Sequence, residues 1–323
     1  MRIARFAATV SVIFFLTANL SFGADTKNIE FSGDTIYPES ASWSSEQGTF
    51  FIGSAQNGSI GTVDMDGNYK TFIRDEALPS TFGIHVDDAR DHLWVTVGDL
   101  GRSEKSSVET QGKLAAIAVF DSKTGKRLAF YDLASVGPGV RNANDVALDP
   151  AGNAYVTDSF AQVIYRIDTT GKLTIFADAP VLKTGDMFGL NGIVYHPDGY
   201  LLVGAWNSGE IFRISISDPA KISKVALPET FKGMDGINLT DPNHVVASVN
   251  VGEPRAVEIA SDDGWTTAKV NATKPAVSTF PSAVAVVGNE AWVLNSRIDS
   301  LLDASAEKVD QFILQDFNSS VSK

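Results

Sequence analysis

The 323-residue chain contains no cysteine. That absence excludes a disulfide framework, a thiolate nucleophile and a Cys-ligated metal. Histidine is scarce, with four in the whole chain. His85 falls inside a strand pattern, and His92, His196 and His244 fall at or beside turns. A histidine acid–base pair or a His-ligated zinc is therefore not expected. No G-x-S-x-G nucleophile elbow occurs. Positive charge is short as well: 26 Lys and Arg against 39 Asp and Glu leave a net charge of −13. This disfavours nucleic acid and anionic membranes as partners, and it also serves solubility. Helical periodicity is the last thing missing. Beyond residue 24, short β-branched and aromatic runs alternate with Gly, Asp, Asn and Pro turns, which places the chain in the all-β class.

Residues 1–24 stand apart. Arg2 and Arg5 make a basic start, Phe6 to Phe22 is apolar with a few hydroxyls, and Ser21-Phe22-Gly23 sets small residues at a cleavage position. The pattern is that of a secretory signal peptide cut after Gly23 or Ala24. A membrane anchor is the alternative, but the apolar run is shorter than the ~20 residues a span needs. Removing the two arginines takes −13 to −15. The expectation is a secreted or periplasmic protein with no membrane insertion after cleavage. Residues 25–323 form one domain, and 44% hydrophobic content is ample for its core.

The mature chain repeats itself. A polar or aromatic residue, then a small or polar one, then an aliphatic one opens each of six units. The openings are Glu39-Ser40-Ala41, Phe82-Gly83-Ile84, Asn144-Asp145-Val146, Asn191-Gly192-Ile193, Asp235-Gly236-Ile237 and Ser282-Ala283-Val284, at spacings of 43, 62, 47, 44 and 47 residues. A turn and a second strand follow each opening, and third and fourth strands follow in most units. Four strands at a period near 45 describe a β-propeller blade, so six units predict a six-bladed propeller. A sandwich does not explain one shared register. The last unit runs out of chain after three strands. Asn28 to Ser32 alternates apolar and polar residues and is expected to supply the fourth, closing the ring.

In such a ring the first strands line a central channel and their starts gather at one mouth. Glu39, Phe82, Asn144, Asn191, Asp235 and Ser282 should meet there. Two carboxylates and two amides facing one channel are costly to bury without a partner. Oxygen-only donors with two negative charges suit a hard divalent cation, Ca²⁺ above all. Capping of strand ends or binding of channel water is the plainer reading. Ser282 has no visible base nearby and reads as a small spacer. Gln56, Asn57, Asp158, Phe160, Trp206, Asn207, Asn250 and Asn295 fall in the loops after the second strands, a composition that suits a small oxygenated ligand. The second unit is longer by about 16 residues, roughly Gly101 to Leu114, and this excess is either a lid over the mouth or a surface insertion.

Asn144-Asp145 leading to Asp149-Pro150-Ala151-Gly152-Asn153-Ala154-Tyr155-Val156-Thr157-Asp158-Ser159 resembles the senescence marker protein/gluconolactonase/luciferin-regenerating-enzyme family. Asn191-Gly192-Ile193 with Pro197-Asp198-Gly199, and Asp235-Gly236-Ile237, fit the same pattern. The resemblance implies a six-bladed propeller with a divalent metal, often Ca²⁺, in the channel. By position it implies Glu39, Asn191 and Asp235 as metal ligands, Asn144 as a further ligand or substrate contact, and Asp235 as general base or nucleophile. The chain departs from its relatives at two places: Phe82 stands where paraoxonases have His, and Asn142 stands where sugar-lactone members have Arg. The implied activity is hydrolysis of a lactone or related ester, with Phe82, Phe160, Trp206 and Asn207 joining Asn144 around the substrate. Two alternatives stay open: a non-catalytic propeller that binds a ligand or protein, and a metal-free strictosidine-synthase-like propeller.

Overall fold

The computed structural model describes residues 28–318 apart from 35, 138 and 187. The N-terminal leader expected at residues 1–24 lies outside the described residues. Among them, no helix is long and apolar enough to cross a membrane.

Six four-stranded antiparallel sheets make up the molecule. The N-terminal strand is β1 (Ile29–Ser32). Blade 1 contains β2 (Ala41–Ser44), β3 (Thr49–Ile52), β4 (Ile60–Val63) and β5 (Tyr69–Ile73). Blade 2 contains β6 (Ser80–Asp87), β7 (His92–Gly98), β8 (Ala115–Asp121) and β9 (Arg127–Asp132). Blade 3 contains β10 (Ala143–Leu148), β11 (Ala154–Asp158), β12 (Ile164–Ile167) and β13 (Leu173–Ala177). Blade 4 contains β14 (Leu190–His196), β15 (Tyr200–Ala205), β16 (Ile211–Ser215) and β17 (Ile222–Lys224). Blade 5 contains β18 (Met234–Asp241), β19 (His244–Val249), β20 (Arg255–Ala260) and β21 (Lys269–Pro275). Blade 6 contains β22 (Pro281–Val287), β23 (Glu290–Asn295) and β24 (Gln311–Asp316), with a short helix α1 (Ile298–Leu302) between β23 and β24.

The fourth strand of blade 6 is β1, which pairs with β24 from Ile29↔Leu314 to Ser32↔Gln311. Ile29 and Phe31 point inward and are buried, while Glu30 and Ser32 point out. The Phe31 ring lies 5.8 Å from Phe312 in its own blade and 6.3 Å from Tyr69 in blade 1. This strand therefore joins the last strand to the first blade, and β24 has no open edge.

The core consists of apolar layers between and within the blades. Second and third strands are buried on both faces, as β15 and β8 show, and read as continuous apolar runs. The outermost strands face water and alternate, as the pattern of β9 shows. That polarity explains why the outer strands β9, β17 and β21 are less legible in the sequence than the inner ones.

Candidate active site

Most site positions are set by a defect in an inner strand. In blades 2, 3, 4 and 5 the pairing of first and second strands slips by one residue at the unit opening. The slips fall between Thr81 and Ile84, Ala143 and Val146, Leu190 and Ile193, and Met234 and Ile237. In each, two residues oppose one, which is a β-bulge. The displaced pairs are Phe82-Gly83, Asn144-Asp145, Asn191-Gly192 and Asp235-Gly236. Blade 6 skips Ser282 between Pro281 and Ala283. A bulge breaks the strict in–out alternation of the strand and re-aims a side chain toward the mouth.

Hydroxyls on the second strands fix the bulged backbone. Thr96 Oγ1 donates to the carbonyl of Asn144 at 2.7 Å, and Thr157 Oγ1 donates to that of Asn191 at 2.6 Å. Both bonds cross from one blade to the next. The glycines after the site residues let inner strands of neighbouring blades touch. A Cβ on Gly192 would stand 2.5 Å from the Asp235 carbonyl oxygen, and one on Gly236 would stand 2.7 Å from Cα of Ala283. Glu39 lies just ahead of β2 rather than in a bulge. Its lead-in is pinned by Ala55 N–H on the Tyr37 carbonyl (3.1 Å) and turns at Tyr37, whose φ is 42°.

A cavity of 560 Å³ opens at this mouth. Glu39, Asn144 and Asn191 stand in it, and Phe82, Phe160, Phe188, Trp206 and Phe280 form aromatic wall. Phe160, Phe188 and Trp206 pack in a row, the first pair tilted and the second edge to face, with ring centroids 5.1 and 5.9 Å apart. Leu100 and α1 (Ile298, Leu301 and Leu302) complete the apolar side, and Arg102 is the only basic residue in the lining. A larger cleft of 790 Å³ lies at the seam between β1 and blade 1 and contains none of the unit openings. A cavity of 270 Å³ occupies the opposite end of the channel, beside His85, Asp145 and Tyr195.

Asp235 lies next to the cavity and is tightly held. Asn191 donates a side-chain hydrogen bond to it. Asn250 Nδ2 donates to its Oδ2 at 2.6 Å, and Trp206 Nε1 donates to Asn250 Oδ1 at 2.9 Å. The indole thus orients the amide that orients the carboxyl. Burial pushes the Asp235 carboxyl up to about 8 against the pull of those two amides, and Asp145 adds to the rise. Burial, then Asp235, then Asp145 raise Glu39 well above the usual carboxylate range. Burial lifts Asp145 itself to about 7, although the Val146 and Ile193 amides donate to it at 2.8 and 3.2 Å. Burial thus raises all three carboxyl groups, and the negative charge of Asp145 adds to the rise at Glu39 and Asp235. Among the described residues no three acidic or histidine side chains converge on one point. The oxygen-bearing side chains in and beside the cavity are the carboxyls of Glu39 and Asp235 and the amides of Asn144 and Asn191.

Of the expected substrate contacts, Phe82, Phe160, Trp206 and Asn144 line the cavity. Asn207 does not; its Oδ1 accepts from Thr184 Oγ1 at 2.6 Å, which ties it to the loop before β14. Ser282 is buried, and its hydroxyl has no partner and no base. Arg141, beside Asn142, turns away from the cavity: Nε donates to Tyr165 at 3.2 Å and Nη1 to the Gly139 carbonyl at 3.3 Å. The 101–114 insertion is fastened to the rim. Asp99 accepts from the Gly101 amide (2.7 Å), Ser106 (2.5 Å) and Thr110 (2.6 Å), and Ser103 bonds the Pro79 carbonyl. It is a fixed wall that lends Arg102 to the cavity. Sequence reasoning passed over Asp145, although it stands where three other blades carry Gly. It also passed over Phe188 and α1, which have no counterpart in the repeat.

No family model matches the sequence, and no curated protein matches it with significance. Solved structures do match. Mala s 1, the major allergen of Malassezia sympodialis, superposes with a TM-score of 0.71 at 15% identity, over 93% of this chain and 98% of that one. A luciferin-regenerating enzyme gives 0.62 at 13% identity, over 91% and 97%. A protein assigned as a gluconolactonase gives 0.58 at 12% identity, over 92% and 94%. At these identities the likeness establishes the fold. That fold fits the family whose motifs the sequence resembles.

Proposed function

We propose that this chain is an exported, divalent-metal-dependent hydrolase that opens a lactone or related ester with an apolar body. The observation that carries the reading is the floor of the cavity. Oxygen donors from four blades, Glu39, Asn144, Asn191 and Asp235, gather under aromatic walls, and no basic side chain is among the groups that act on the Glu39 or Asp235 carboxyl. Two carboxylates and two amides are a hard donor set that fits Ca²⁺, which accepts 6–8 oxygens. When bound, the cation supplies Lewis-acid polarisation of the ester carbonyl. Asp235, its carboxyl oriented by Asn250, takes the proton from the attacking water; a group held near 8 is close to the pKa that suits a base at neutral pH. Asn144 orients the ester. Trp206, Phe160 and Phe82 hold its apolar part and keep bulk water out. The names of the luciferin-regenerating enzyme and the gluconolactonase support the chemical class.

The test is hydrolysis of a panel of lactones of graded tail length, before and after chelation. Turnover that stops with chelator and returns with Ca²⁺ supports the proposal, and full turnover in metal-free protein refutes it. One observation favours a second reading, a carrier of apolar ligands: most of the cavity wall is hydrocarbon. Tight binding of long-tailed lactones without any turnover would select that reading.

A further inference from the structure

Asn142 sits at the cavity wall, two residues before Asn144, and is 1% exposed. Its backbone is fully engaged: its N–H donates to Asp158 Oδ1 at 3.0 Å, and its carbonyl accepts from Ser159 N–H at 2.9 Å. Its side chain is idle. Neither Oδ1 nor Nδ2 has a hydrogen-bond partner, and among the described residues no other side-chain amide has both atoms sealed from solvent and unpaired. Such a group weakens the fold, because an apolar side chain of the same shape would lose nothing there. Gly98 makes room for it: a Cβ at that position would lie 2.9 Å from both Asn142 Oδ1 and Phe82 Cε2. The amide and the edge of the Phe82 ring therefore share one pocket in the wall.

We propose that Asn142 is a specificity residue that reads one uncharged hydrogen-bonding group on an otherwise apolar ligand. The complement of an idle carbonyl beside an idle NH₂ is a group that both donates and accepts, a secondary amide or a hydroxyl. A charged head is not its complement, since an amide carries no charge to balance it and Arg141 beside it is engaged with Tyr165 and Gly139. A polyol is not either, since the surrounding wall is aromatic and offers few further partners. The ligand reaches the amide by turning the Phe82 ring aside. The lactone part of the ligand rests on the function proposed above; the hydrogen-bond requirement does not.

The experiment uses two γ-lactones with tails of equal length, one interrupted by a secondary amide and one all carbon, together with their non-hydrolysable cyclic-ketone counterparts. Affinity for the ketones is read by calorimetry, and KM and kcat are read on the lactones. Wild type should prefer the amide tail by ~10-fold or more, as buried groups built to bond a ligand do. Asn142→Leu should abolish that preference by raising KM for the amide lactone alone, leave kcat within about threefold, and melt no lower than wild type. Equal affinity of wild type for both tails, or an Asn142→Leu loss shared by both, overturns the proposal. The wild-type comparison decides it even if the variant fails to fold. A preserved binding preference without hydrolysis upholds this role while removing the hydrolase reading.

Discussion

The two faces of the ring hold carboxylates of opposite character. On the face away from the mouth, Asp64, Asp121, Asp168 and Asp263 sit in the turns that join third to fourth strands. Each is held below the usual carboxylate range by hydrogen bonds it accepts: from the Asn68 side chain, the Thr124 amide, the Thr170 hydroxyl and the Thr267 amide, respectively. At the mouth, Glu39 and Asp235 are pushed up, first by burial, and so is Asp145 behind them, which lines the opposite end of the channel. The far-face groups are half-buried or exposed and accept hydrogen bonds from their own turns, so they favour the fold as anions. The mouth groups are buried near one another, so as anions they oppose it. A stable ring has no use for the second arrangement unless something bound there repays it, and that is the physical content of the proposed function.

Replacing Asp235 with Asn should separate the two most sharply. Loss of a base is expected to lower kcat by ~10²–10⁴. The same change should stabilise the metal-free protein at alkaline pH. A carboxyl raised to about 8 contributes stability below its unfolded value near 4 and loses it as pH rises through 8, whereas Asn does not titrate. A metal-free variant that melts below wild type at pH 9 would break the contrast. Deleting residues 28–33 probes the fold without touching either set of carboxylates. It removes buried Ile29 and Phe31, at about 1.5–3 kcal/mol each, and bares the edge of β24. An unchanged urea midpoint would show that β1 does not close the ring.

Gly192→Ala tests how closely the mouth is built. The new Cβ meets backbone of β18 at 2.5 Å, so we expect about 1–3 kcal/mol of destabilisation and a loss of turnover from the displaced Asp235. Wild-type kcat in that variant would mean that the close approach does not position the site. The smallest effect belongs to the far face. Asp263, lowered to about 2, contributes stability above its unfolded value and loses it as pH falls through 2. Asp263→Asn should therefore flatten the acid limb of the stability curve between pH 4 and 2 and leave turnover intact; an unaltered acid limb would contradict the capping role.

The same contrast explains what the sequence makes legible. Six repeated openings are enough to read the blade count, the mouth and the closure by β1, because each opening is a local pattern of fixed length. Pro197-Asp198-Gly199 reads as a turn for the same reason. The bulges are not visible as such, but they account for the shared register: the residues that align are the ones the ladder skips. Asn250 could be placed only on the rim, since its bond to Asp235 spans 15 residues and needs the hairpin to form. Asn207 went the other way, drawn from the rim to Thr184 by a loop with no repeat counterpart. Arg141 and Asn142 are adjacent in sequence, yet one serves the Tyr165–Asp158 network and the other faces the cavity wall.

The central claim is that the mouth carboxylates are built to hold a cation. The most direct measurement is calorimetric titration of Ca²⁺ into chelator-treated wild type, Glu39→Gln and Asp235→Asn at pH 8, with the melting temperature followed in parallel. The account predicts one site per chain in wild type, a higher melting temperature on binding, and at least a tenfold loss of affinity in each variant. No binding heat and no thermal shift in wild type, or equal affinity in all three proteins, would contradict it.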